Sequence, residues 1–367
     1  MAEICGRLGS DIVSILTGVP GDVEYPRIAG LHVYRRPRAF NPSSFAHSIW
    51  LSSAMAEVLL REKPNVLQFA TTQDTAAAWW THRVVGLPYI IYAHGNDILS
   101  AMNSTWAKPR QVLMGAATVI ANSKYTAKLV EGIGVEPQKL AIVSPGCDIE
   151  RFRPLEVDKE TRISLLGQRW RDRIILTVGG LVERKGHDIA IMALKQILAK
   201  IPNVSYLIVG DGPCRQELQC LAEEHGIAEH VIFAGRVSDH HLPLYYGLCD
   251  IFLMPSRVRL EQNDVEGFGM VFLEAGACGK PSVGGRSGGV EDAVLDNQTG
   301  LLVDPGNPNQ VASALELLLC KTDLARRLGS QARQHVSDQH TWRQVGNRVA
   351  DIVATVGRST CKKARIC

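Results

Sequence analysis

The sequence contains no long apolar run, no closely spaced cysteine pair and little net charge. None of its apolar stretches approaches the roughly 20 residues that span a bilayer. Its nine cysteines form no Cys-x-x-Cys pair, a pattern typical of reduced thiols rather than of a disulfide or zinc framework. A net charge of +3 gives no support to nucleic-acid binding. Because Glu3, Arg7 and Asp11 also interrupt any signal-peptide core, we predict a cytoplasmic globular protein.

Several motifs are also absent, and each absence argues against a class of protein. There is no Asp-x-Asp cluster, so we predict no metal site and no cofactor. The Gly-x-Gly-x-x-Gly fingerprint of dinucleotide binding is missing, because Gly267-x-Gly269 continues into Phe272. Residues 1–10 resemble the end of a helix rather than an opening strand with a glycine turn. We therefore expect the first βα unit of a doubly wound domain to be missing.

Short β-branched apolar runs alternate with longer amphipathic ones, which predicts an α/β fold with parallel sheets. A length of 367 residues favours two domains. We place them at residues 1–155 and 156–340, followed in 341–367 by a helix that packs back on the first domain and a basic tail. The predicted strands are residues 12–16, 66–69, 89–93, 118–121, 140–143, 174–178, 205–209, 231–234, 251–254, 281–284 and 300–303.

The segment from Asp264 to Glu274 carries the most chemical information. Gly267 and Gly269 precede an apolar run, which predicts a tight turn and a helix that begins near Gly269. The free amides and positive dipole end of such a helix favour an anion such as a diphosphate. Glu266 in the turn and Glu274 two helical turns later are suited to accept hydrogen bonds from sugar hydroxyls. The alternative is an acidic helix start with a solvent-facing Glu274.

Glycine turns follow other predicted strands as well. Gly179 and Gly180 come after residues 174–178 and are followed by Arg184 and Lys185, a basic pair that can reach phosphate oxygens. Further turns follow at residues 210–213 and 235–237. The carboxyl edge of a parallel sheet, where these turns meet, is where open α/β sheets bind ligands. Each turn alone is weak evidence, and their order is the informative feature.

That order resembles a known family. The succession VGGLVERKG, VGDGP, FAGRV, CDIFLMPS, EGFGMVFLEA and SGGVEDAV is similar to the C-terminal domain of the retaining GT-B glycosyltransferases of group 1 and family 4. YAHGNDI, ANSKYT and VSPGCDIERFRP extend the resemblance over nearly all of residues 10–356. The segment DVEGFGMVFLEAGACGKP looks most like bacterial phosphatidylinositol-mannoside mannosyltransferases. The resemblance implies two Rossmann-like, doubly wound domains that face a cleft.

The resemblance also implies residue roles. Glu266 would hold hydroxyls of the transferred sugar, and Glu274 those of the ribose. Lys185 would neutralise the diphosphate, and His94 would face the anomeric centre from the first domain. The other implied donor-binding residues are Gly179, Gly180 and Arg184 near the phosphates, the backbone of Gly267, Phe268, Gly269, Met270 and Val271, and Gly235 and Val237 around the base.

The sequence departs from the family pattern at Gly180, where the family usually has an arginine that binds phosphate together with the lysine. Arg184 is a partial substitute, although neighbouring side chains at a helix start point in different directions. Other residues have structural alternatives: His94 as a surface histidine, Asp97 and Ser123 as helix caps, and Asp211 as a turn brace.

We predict retaining transfer of a hexose, with mannose favoured, from a nucleoside-diphosphate sugar to a lipid or saccharide hydroxyl. GDP-mannose is the favoured donor and a UDP-sugar the alternative. Three other functions stay open: an impaired or non-catalytic nucleotide-sugar-binding protein, a sugar-nucleotide epimerase and a dinucleotide oxidoreductase. The basic residues 34–38 and 362–365 are either solvated or contact an anionic membrane at its inner face. No nucleic-acid partner is expected.

Overall fold

The computed structural model describes residues 14–17, 32–35, 45–72, 82–103 and 108–364 of the chain. The chain divides into two compact units, Met1–Pro145 together with Trp342–Cys367, and Gly146–Thr341. This division lies earlier than the junction placed near residue 155. The physical reason is that Cys147 and Phe152 are buried in the core of the second unit.

The first unit contains two parallel sheets. A pair of short strands, β1 (Ser14–Thr17) and β2 (His32–Arg35), forms one of them. The other contains β3 (Leu67–Phe69), β4 (Tyr89–Ala93), β5 (Thr118–Ala121) and β6 (Leu140–Ile142) in chain order. Every residue of β4 is buried, as expected for a strand covered on both faces. The helices are α1 (Phe45–Glu62), α2 (Asn96–Met102), α3 (Lys108–Gly115) and α4 (Lys124–Ile133).

The second unit is built on a six-stranded parallel sheet. Its strands are β7 (Arg173–Val178), β8 (Val204–Val209), β9 (Val231–Gly235), β10 (Ile251–Met254), β11 (Ser282–Gly285) and β12 (Gly300–Val303). Its helices are α5 (Lys159–Leu166), α6 (His187–Leu198), α7 (Arg215–Glu224), α8 (Leu242–Leu248), α9 (Met270–Ala277), α10 (Val290–Ala293), α11 (Pro308–Cys320) and α12 (Thr322–Gln339). Short 3-10 helices occur in this unit at Gly167–Arg169, Glu183–Lys185, Ala228–His230 and Leu260–Gln262, and in the first unit at Pro137–Lys139.

Two hydrophobic cores cover this sheet. Apolar side chains of α6 and α11 are buried together in one of them, whereas those of α8 and α9 are buried in the other. Both faces of the sheet are therefore covered by helices, which confirms the predicted doubly wound α/β class. Capping residues fix several helix starts; the side chain of Ser123, for example, accepts a 3.0 Å hydrogen bond from the Thr126 amide and confirms the predicted cap of α4.

The last helix, α13 (Trp342–Ala364), belongs to the first unit. Val345, Val349 and Val356 of this helix are buried in one cluster with Ile90 and Ile120 of the sheet. The helix thereby joins the chain's last segment to its first half. Within the described ranges, no helix combines the length and the apolar character needed to cross a bilayer.

Each predicted strand overlaps a strand of the structure. The strand β2 was not predicted, because its residues His32–Arg35 carry basic and aromatic side chains in place of a continuous apolar run. Tyr34 and Arg35 of the predicted basic cluster lie in this strand, and Arg36 and Arg38 lie outside the described residues. Residues 1–13, where the opening βα unit was expected to be missing, also lie outside them.

Candidate active site

The candidate site lies where β7 and β10 end. The second sheet has the order β12-β11-β10-β7-β8-β9, so the chain winds outward in opposite directions from the boundary between these two strands. Doubly wound sheets bind ligands at such a reversal, beside the carboxyl ends of the strands. Gly179 directly follows β7 and Pro255 directly follows β10. Topology thus brings the predicted glycine turn to the expected place.

The helix that begins after the EGFG segment is α9. Gly269 precedes its first residue, Met270, and adopts a left-handed backbone with a φ of 92°. A Cβ atom at Gly269 would lie 2.7 Å from the Phe272 ring, so both the backbone and the available space require glycine here. The predicted helix start near Gly269 is confirmed. Val271 is half-buried in the first turn, whose free amides form a positive helix end.

A second glycine loop covers the backbone of Glu266, Gly267 and Phe268. The amide of Gly289 donates a 2.8 Å hydrogen bond to the carbonyl of Glu266. A Cβ atom on Gly289 would overlap the carbonyl oxygen of Gly267, so only glycine permits this close approach. Gly267 and Phe268 are buried. The loop before α10 therefore fixes the turn that carries Glu266.

Glu266 is held by two cations from the turn after β7. Lys185 Nζ lies 2.6 Å and Arg184 Nη1 lies 2.5 Å from the same atom, Glu266 Oε2. Arg184 also donates through Nε to Oδ1 of Asp264 at 2.7 Å. The three side chains Arg184, Lys185 and Glu266 are only 15%, 11% and 14% exposed. The predicted phosphate cation and the predicted sugar-binding carboxylate are thus direct partners in this structure.

These cations determine the charge state of Glu266. Burial on its own raises the pKa of this carboxyl, but the opposite charges of Lys185 and Arg184 and their hydrogen bonds lower the pKa below its ordinary value. Glu266 is therefore ionised at neutral pH. An ionised carboxylate retains lone pairs that can accept hydrogen bonds from hydroxyl groups of a ligand.

Glu274, in the second turn of α9, lies in a different environment. Its Oε2 accepts a 2.6 Å hydrogen bond from the hydroxyl of Tyr246, a fully buried residue of α8. The ring of Tyr246 packs edge-on against Phe152, with 5.6 Å between centroids. Burial raises the pKa of Glu274, and the Tyr246 hydrogen bond with the charge of Arg151 offsets this only in part. Because Glu274 is partly buried, the solvent-facing alternative was wrong.

The turn after β7 is held by a buried histidine. His187, the first residue of α6, places Nε2 3.3 Å from the carbonyl oxygen of Gly180. Burial lowers the pKa of His187 to about 4, so the ring is neutral near pH 7. Gly179 lies against Lys185, since a Cβ atom there would be 3.3 Å from Lys185 Cε. Gly179 thus leaves room for the lysine side chain, and Gly180 leaves the position of the family arginine without a side chain.

An open cavity of about 770 Å³ lies beside the turn after β9. Val237 lines it, together with polar side chains from α5, from the loop after β9 and from the residue before α8, which are Glu160, Thr161, Arg236, Ser238 and His241. Gly235 does not line this cavity; it has a left-handed φ of 72°, and its carbonyl oxygen accepts a 2.8 Å hydrogen bond from Gly210. Of the two residues expected around a base, only Val237 therefore contacts the cavity.

Asp211 lies in the turn that follows β8. Asp211 accepts a 2.9 Å hydrogen bond from the Gly212 amide, which matches its predicted alternative as a turn brace. In the part of the chain that the structure describes, no three side chains of His, Cys, Asp or Glu are grouped as ligands of a metal ion.

Comparisons with known proteins identify the family. Residues 158–335 match the family described as glycosyl transferases group 1, and residues 2–151 match glycosyltransferase family 4. A GDP-mannose-dependent alpha-(1-6)-phosphatidylinositol monomannoside mannosyltransferase of Mycobacterium tuberculosis is 36% identical, over 96% of this chain and 93% of its own. The chain belongs to the glycosyltransferase family of group 1 and family 4.

Further similarities support the fold of the glycosyltransferase. A GDP-mannose-dependent monoacylated alpha-(1-6)-phosphatidylinositol monomannoside mannosyltransferase of Corynebacterium glutamicum is 28% identical, over 89% of this chain and 87% of its own. An Anabaena protein in complex with UDP and glucose has a TM-score of 0.78 at 21% identity, with 96% and 94% coverage. Sucrose-phosphate synthase from Thermosynechococcus elongatus has a TM-score of 0.77 at 20% identity, with 96% and 92% coverage. The predicted GT-B class is thereby confirmed.

In this glycosyltransferase His94 belongs to the first unit and the two glutamates to the second. His94 is exposed at the end of β4, and its Nε2 lies 2.8 Å from the carbonyl oxygen of Ala70. A carbonyl oxygen only accepts, so Nε2 is the donor in this contact. Asp97 accepts hydrogen bonds from the amides of His94 and Ile98, at 2.9 and 3.0 Å. The catalytic role of His94 stays a prediction.

Sequence reasoning missed the contacts of three residues that position side chains of the candidate site. Tyr246 contacts Glu274 from 28 positions earlier in the chain, and no sequence pattern links the two. The contact of His187 with the carbonyl of Gly180 likewise has no sequence signal. For Asp264 a signal was present, because the two nearby acids Asp264 and Glu266 are complementary in charge to the two adjacent cations after β7.

Proposed function

We propose that this glycosyltransferase is a retaining mannosyltransferase that uses GDP-mannose. Its named relatives at 35–36% identity are GDP-mannose-dependent mannosyltransferases, which supports the donor and the sugar. The observation that carries the proposal is the pair of carboxylates on one helix start, Glu266 with two cations and Glu274 with a tyrosine. A nucleotide sugar offers a matching set of groups: an anionic diphosphate between two rings that bear hydroxyls.

In the proposed complex the diphosphate lies at the positive end of α9 and takes Lys185 as its cation. Glu266 accepts hydrogen bonds from hydroxyls of the mannose, and Glu274 accepts them from the ribose. Because Lys185 is paired with Glu266, the diphosphate competes with this carboxylate for the ammonium group. We propose that the positive helix end and Lys185 serve the diphosphate without a metal ion or another cofactor.

The proposed reaction keeps the configuration at the anomeric carbon. The bond between C1 of mannose and the β-phosphate oxygen breaks, and the acceptor oxygen bonds to C1 from the same face. The acceptor proton passes to the departing phosphate oxygen, so charge is balanced. Lys185 stabilises the negative charge that develops on the leaving group. His94, with its proton on Nε2, would face the anomeric centre.

The acceptor we propose is a hydroxyl of a phosphatidylinositol-mannoside-type glycolipid, after the acceptors in the names of the relatives. A saccharide acceptor is the alternative. We further propose that the enzyme acts at the cytoplasmic face of the membrane, where the basic residues 34–38 attract anionic lipids. Binding to phosphatidylinositol vesicles should then weaken steeply with salt, whereas salt-insensitive binding or none would contradict it.

The experiment that tests the function is a thermal-shift panel of GDP-, UDP- and ADP-sugars, followed by mass spectrometry and NMR of the product. We expect the largest stabilisation from GDP-mannose and an α-linked mannosyl product. Stabilisation without transfer or donor hydrolysis would favour the non-catalytic alternative, which Gly180 motivates. Conversion of the free nucleotide sugar to its epimer would favour an epimerase, and stabilisation by NAD alone would favour an oxidoreductase.

An arginine at position 180 is expected to tighten donor binding. A Cβ atom there would meet only the Asp211 carbonyl at 3.7 Å, and the backbone is outside the left-handed region. The added guanidinium restores a second cation for the diphosphate, so calorimetric titration of Gly180→Arg with GDP should give a Kd about tenfold lower. Gly306→Arg, at an exposed turn, adds the same charge elsewhere and should leave the Kd unchanged. If neither variant changes the Kd of GDP, residue 180 does not lie beside the diphosphate.

The pH dependence of GDP binding tests the contact between Tyr246 and Glu274. The groups that act on the Glu274 carboxyl are Tyr246, Arg151 and Asp239. Ribose binding needs the ionised carboxylate, so affinity is lost as pH falls through the pKa of Glu274. Because the Tyr246 hydrogen bond lowers this pKa, Tyr246→Phe should move the loss of affinity to higher pH. At neutral pH the variant should bind GDP about fivefold more weakly, the value of one hydrogen bond.

The control for this pH experiment is Tyr89→Phe. The Tyr89 hydroxyl donates a 2.7 Å hydrogen bond to the Val112 carbonyl in the first unit, so its removal tests the loss of a buried hydroxyl alone. It should lower the melting temperature without moving the pH dependence. If Tyr246→Phe and the wild type lose GDP affinity over the same pH range, the tyrosine does not act through Glu274.

A further inference from the structure

The Arg184 side chain contacts two carboxylates of the candidate site. Its guanidinium donates through Nε to Asp264 at 2.7 Å and through Nη1 to Glu266 at 2.5 Å. The backbone carbonyl of Arg184 also accepts a 2.9 Å hydrogen bond from the Arg257 amide. Two directions of the planar guanidinium are thus used by two carboxylates of one loop, an arrangement that a lysine ammonium does not reproduce.

Lys185 and Arg184 share one oxygen atom but differ in what else holds them. Besides Glu266, the Lys185 ammonium contacts the sulfur of Met254 at 3.4 Å, which is a weak acceptor. Arg184, in contrast, also contacts a second carboxylate, that of Asp264. A diphosphate that enters the site can therefore attract Lys185 away from Glu266 more readily than it can attract Arg184.

That exchange creates a requirement for Glu266. A partly buried carboxylate that loses its only counter-ion is destabilised in its ionised form and tends to take up a proton. A protonated Glu266 would accept hydrogen bonds from the sugar less well. The proposed reaction therefore needs a second cation that stays with Glu266 when Lys185 binds the diphosphate.

We propose that Arg184 is this second cation, a positioning residue that keeps Glu266 ionised and oriented and does not itself bind the diphosphate. The proposal rests on the proposed function of Lys185 and Glu266. It differs from the sequence-based hypothesis that Arg184 replaces the missing phosphate arginine at position 180. Asp264 has a defined role in it, because it fixes the guanidinium in the orientation that faces Glu266.

The test compares Arg184→Gln and Arg184→Lys with the wild type in kcat, in the KM for GDP-mannose, in the Kd of GDP and in the pH profile of kcat. We expect Arg184→Gln to lower kcat about tenfold, the loss of one charge-assisted hydrogen bond, with the Kd of GDP within about twofold. Arg184→Lys retains the positive charge, but an ammonium group does not reproduce the two hydrogen bonds that the guanidinium donates to Asp264 and Glu266. Its kcat should therefore fall, but less than that of Arg184→Gln. The groups that face Glu266 are Lys185 and Arg184. Loss of the Arg184 charge should move the acid limb of the profile to higher pH.

Arg257→Gln is the matched control, since Arg257 pairs with Asp188 at 2.9 Å and is similarly buried. It should leave the acid limb in place. A Kd of GDP raised tenfold or more in Arg184→Gln, with an unmoved pH profile, would show a phosphate ligand and overturn the proposal. An unchanged kcat would overturn it too. If Arg184→Gln does not fold, Arg184→Lys provides the test. The proposal is overturned if the kcat of this variant and the acid limb of its pH profile equal those of the wild type.

The proposed function itself fails in a different way. Lys185→Met should weaken GDP binding about tenfold, because it removes the proposed diphosphate cation. If this variant binds GDP as the wild type does, or if the wild type transfers no sugar, the roles of Lys185 and Glu266 are wrong whatever Arg184 does.

Discussion

Glu266→Gln is expected to lower kcat about a hundredfold, the usual loss when one preorganised electrostatic contact to a transition state is removed. The glutamine keeps the size of the side chain and loses its charge. As the bond from the sugar to the diphosphate breaks, positive charge develops on the sugar ring, and a carboxylate stabilises it more strongly than an amide does. The effect should appear in kcat more than in the KM for the donor.

The same variant has an opposite expected effect on the nucleotide. Lys185 and Glu266 are 2.6 Å apart, so removal of the carboxylate charge frees the ammonium for the diphosphate. The Kd of GDP should therefore stay equal or fall, which calorimetric titration measures. Glu261→Gln, an exposed position on the same loop, should change neither quantity. A GDP affinity that falls in parallel with kcat would contradict the proposed competition.

Glu274→Ala is expected to raise the Kd of GDP about tenfold to a hundredfold, because hydrogen bonds to a charged group contribute roughly 1.5–3 kcal/mol. The variant also leaves the buried Tyr246 hydroxyl without its 2.6 Å acceptor, at a cost of about 1–3 kcal/mol in the free energy of unfolding. Glu274→Gln retains an acceptor for Tyr246 and separates the two effects, since it should bind GDP weakly and melt near the wild-type temperature.

A comparison of GDP with 2′,3′-dideoxy-GDP assigns this affinity to the ribose. The wild type should bind the dideoxy nucleotide about as weakly as Glu274→Ala binds GDP. The Glu274→Ala variant should no longer distinguish the two nucleotides, as expected when a variant and a ligand change remove the same contact. A variant that still prefers GDP by the wild-type ratio would place the ribose elsewhere.

The expected effects of Glu266→Gln on kcat and of Glu274→Ala on GDP affinity differ because the two glutamates lie in different environments near the start of α9. Cations lower the pKa of Glu266, whereas burial raises the pKa of Glu274. The first carboxylate is suited to a group near developing charge, and the second to neutral hydroxyls that are present before and after transfer. Local environment, rather than residue type, thus gives two identical side chains different pKa shifts, which is the basis of the different functions we propose for them.

Much of the architecture was predictable from local patterns. The alternation of apolar and amphipathic segments predicted the parallel sheets, since strand and helix periodicities differ and buried parallel strands are continuously apolar. The glycines before residue 270 predicted where α9 begins, because Gly269 needs a left-handed backbone. Such features depend on residues that are adjacent or a few positions apart. The strand β2 shows the limit, since a short strand with polar side chains has no distinctive periodicity.

The sequence by itself determined the fold class, the start of α9, the order of the two glutamates and the family. Only the tertiary structure decided that Lys185 and Arg184 meet on one oxygen of Glu266, and that Tyr246 supports Glu274. These partners are 81, 82 and 28 positions apart along the chain. Local propensity acts over a few residues, whereas contacts between such distant side chains depend on strand order and on how helices pack on the sheet.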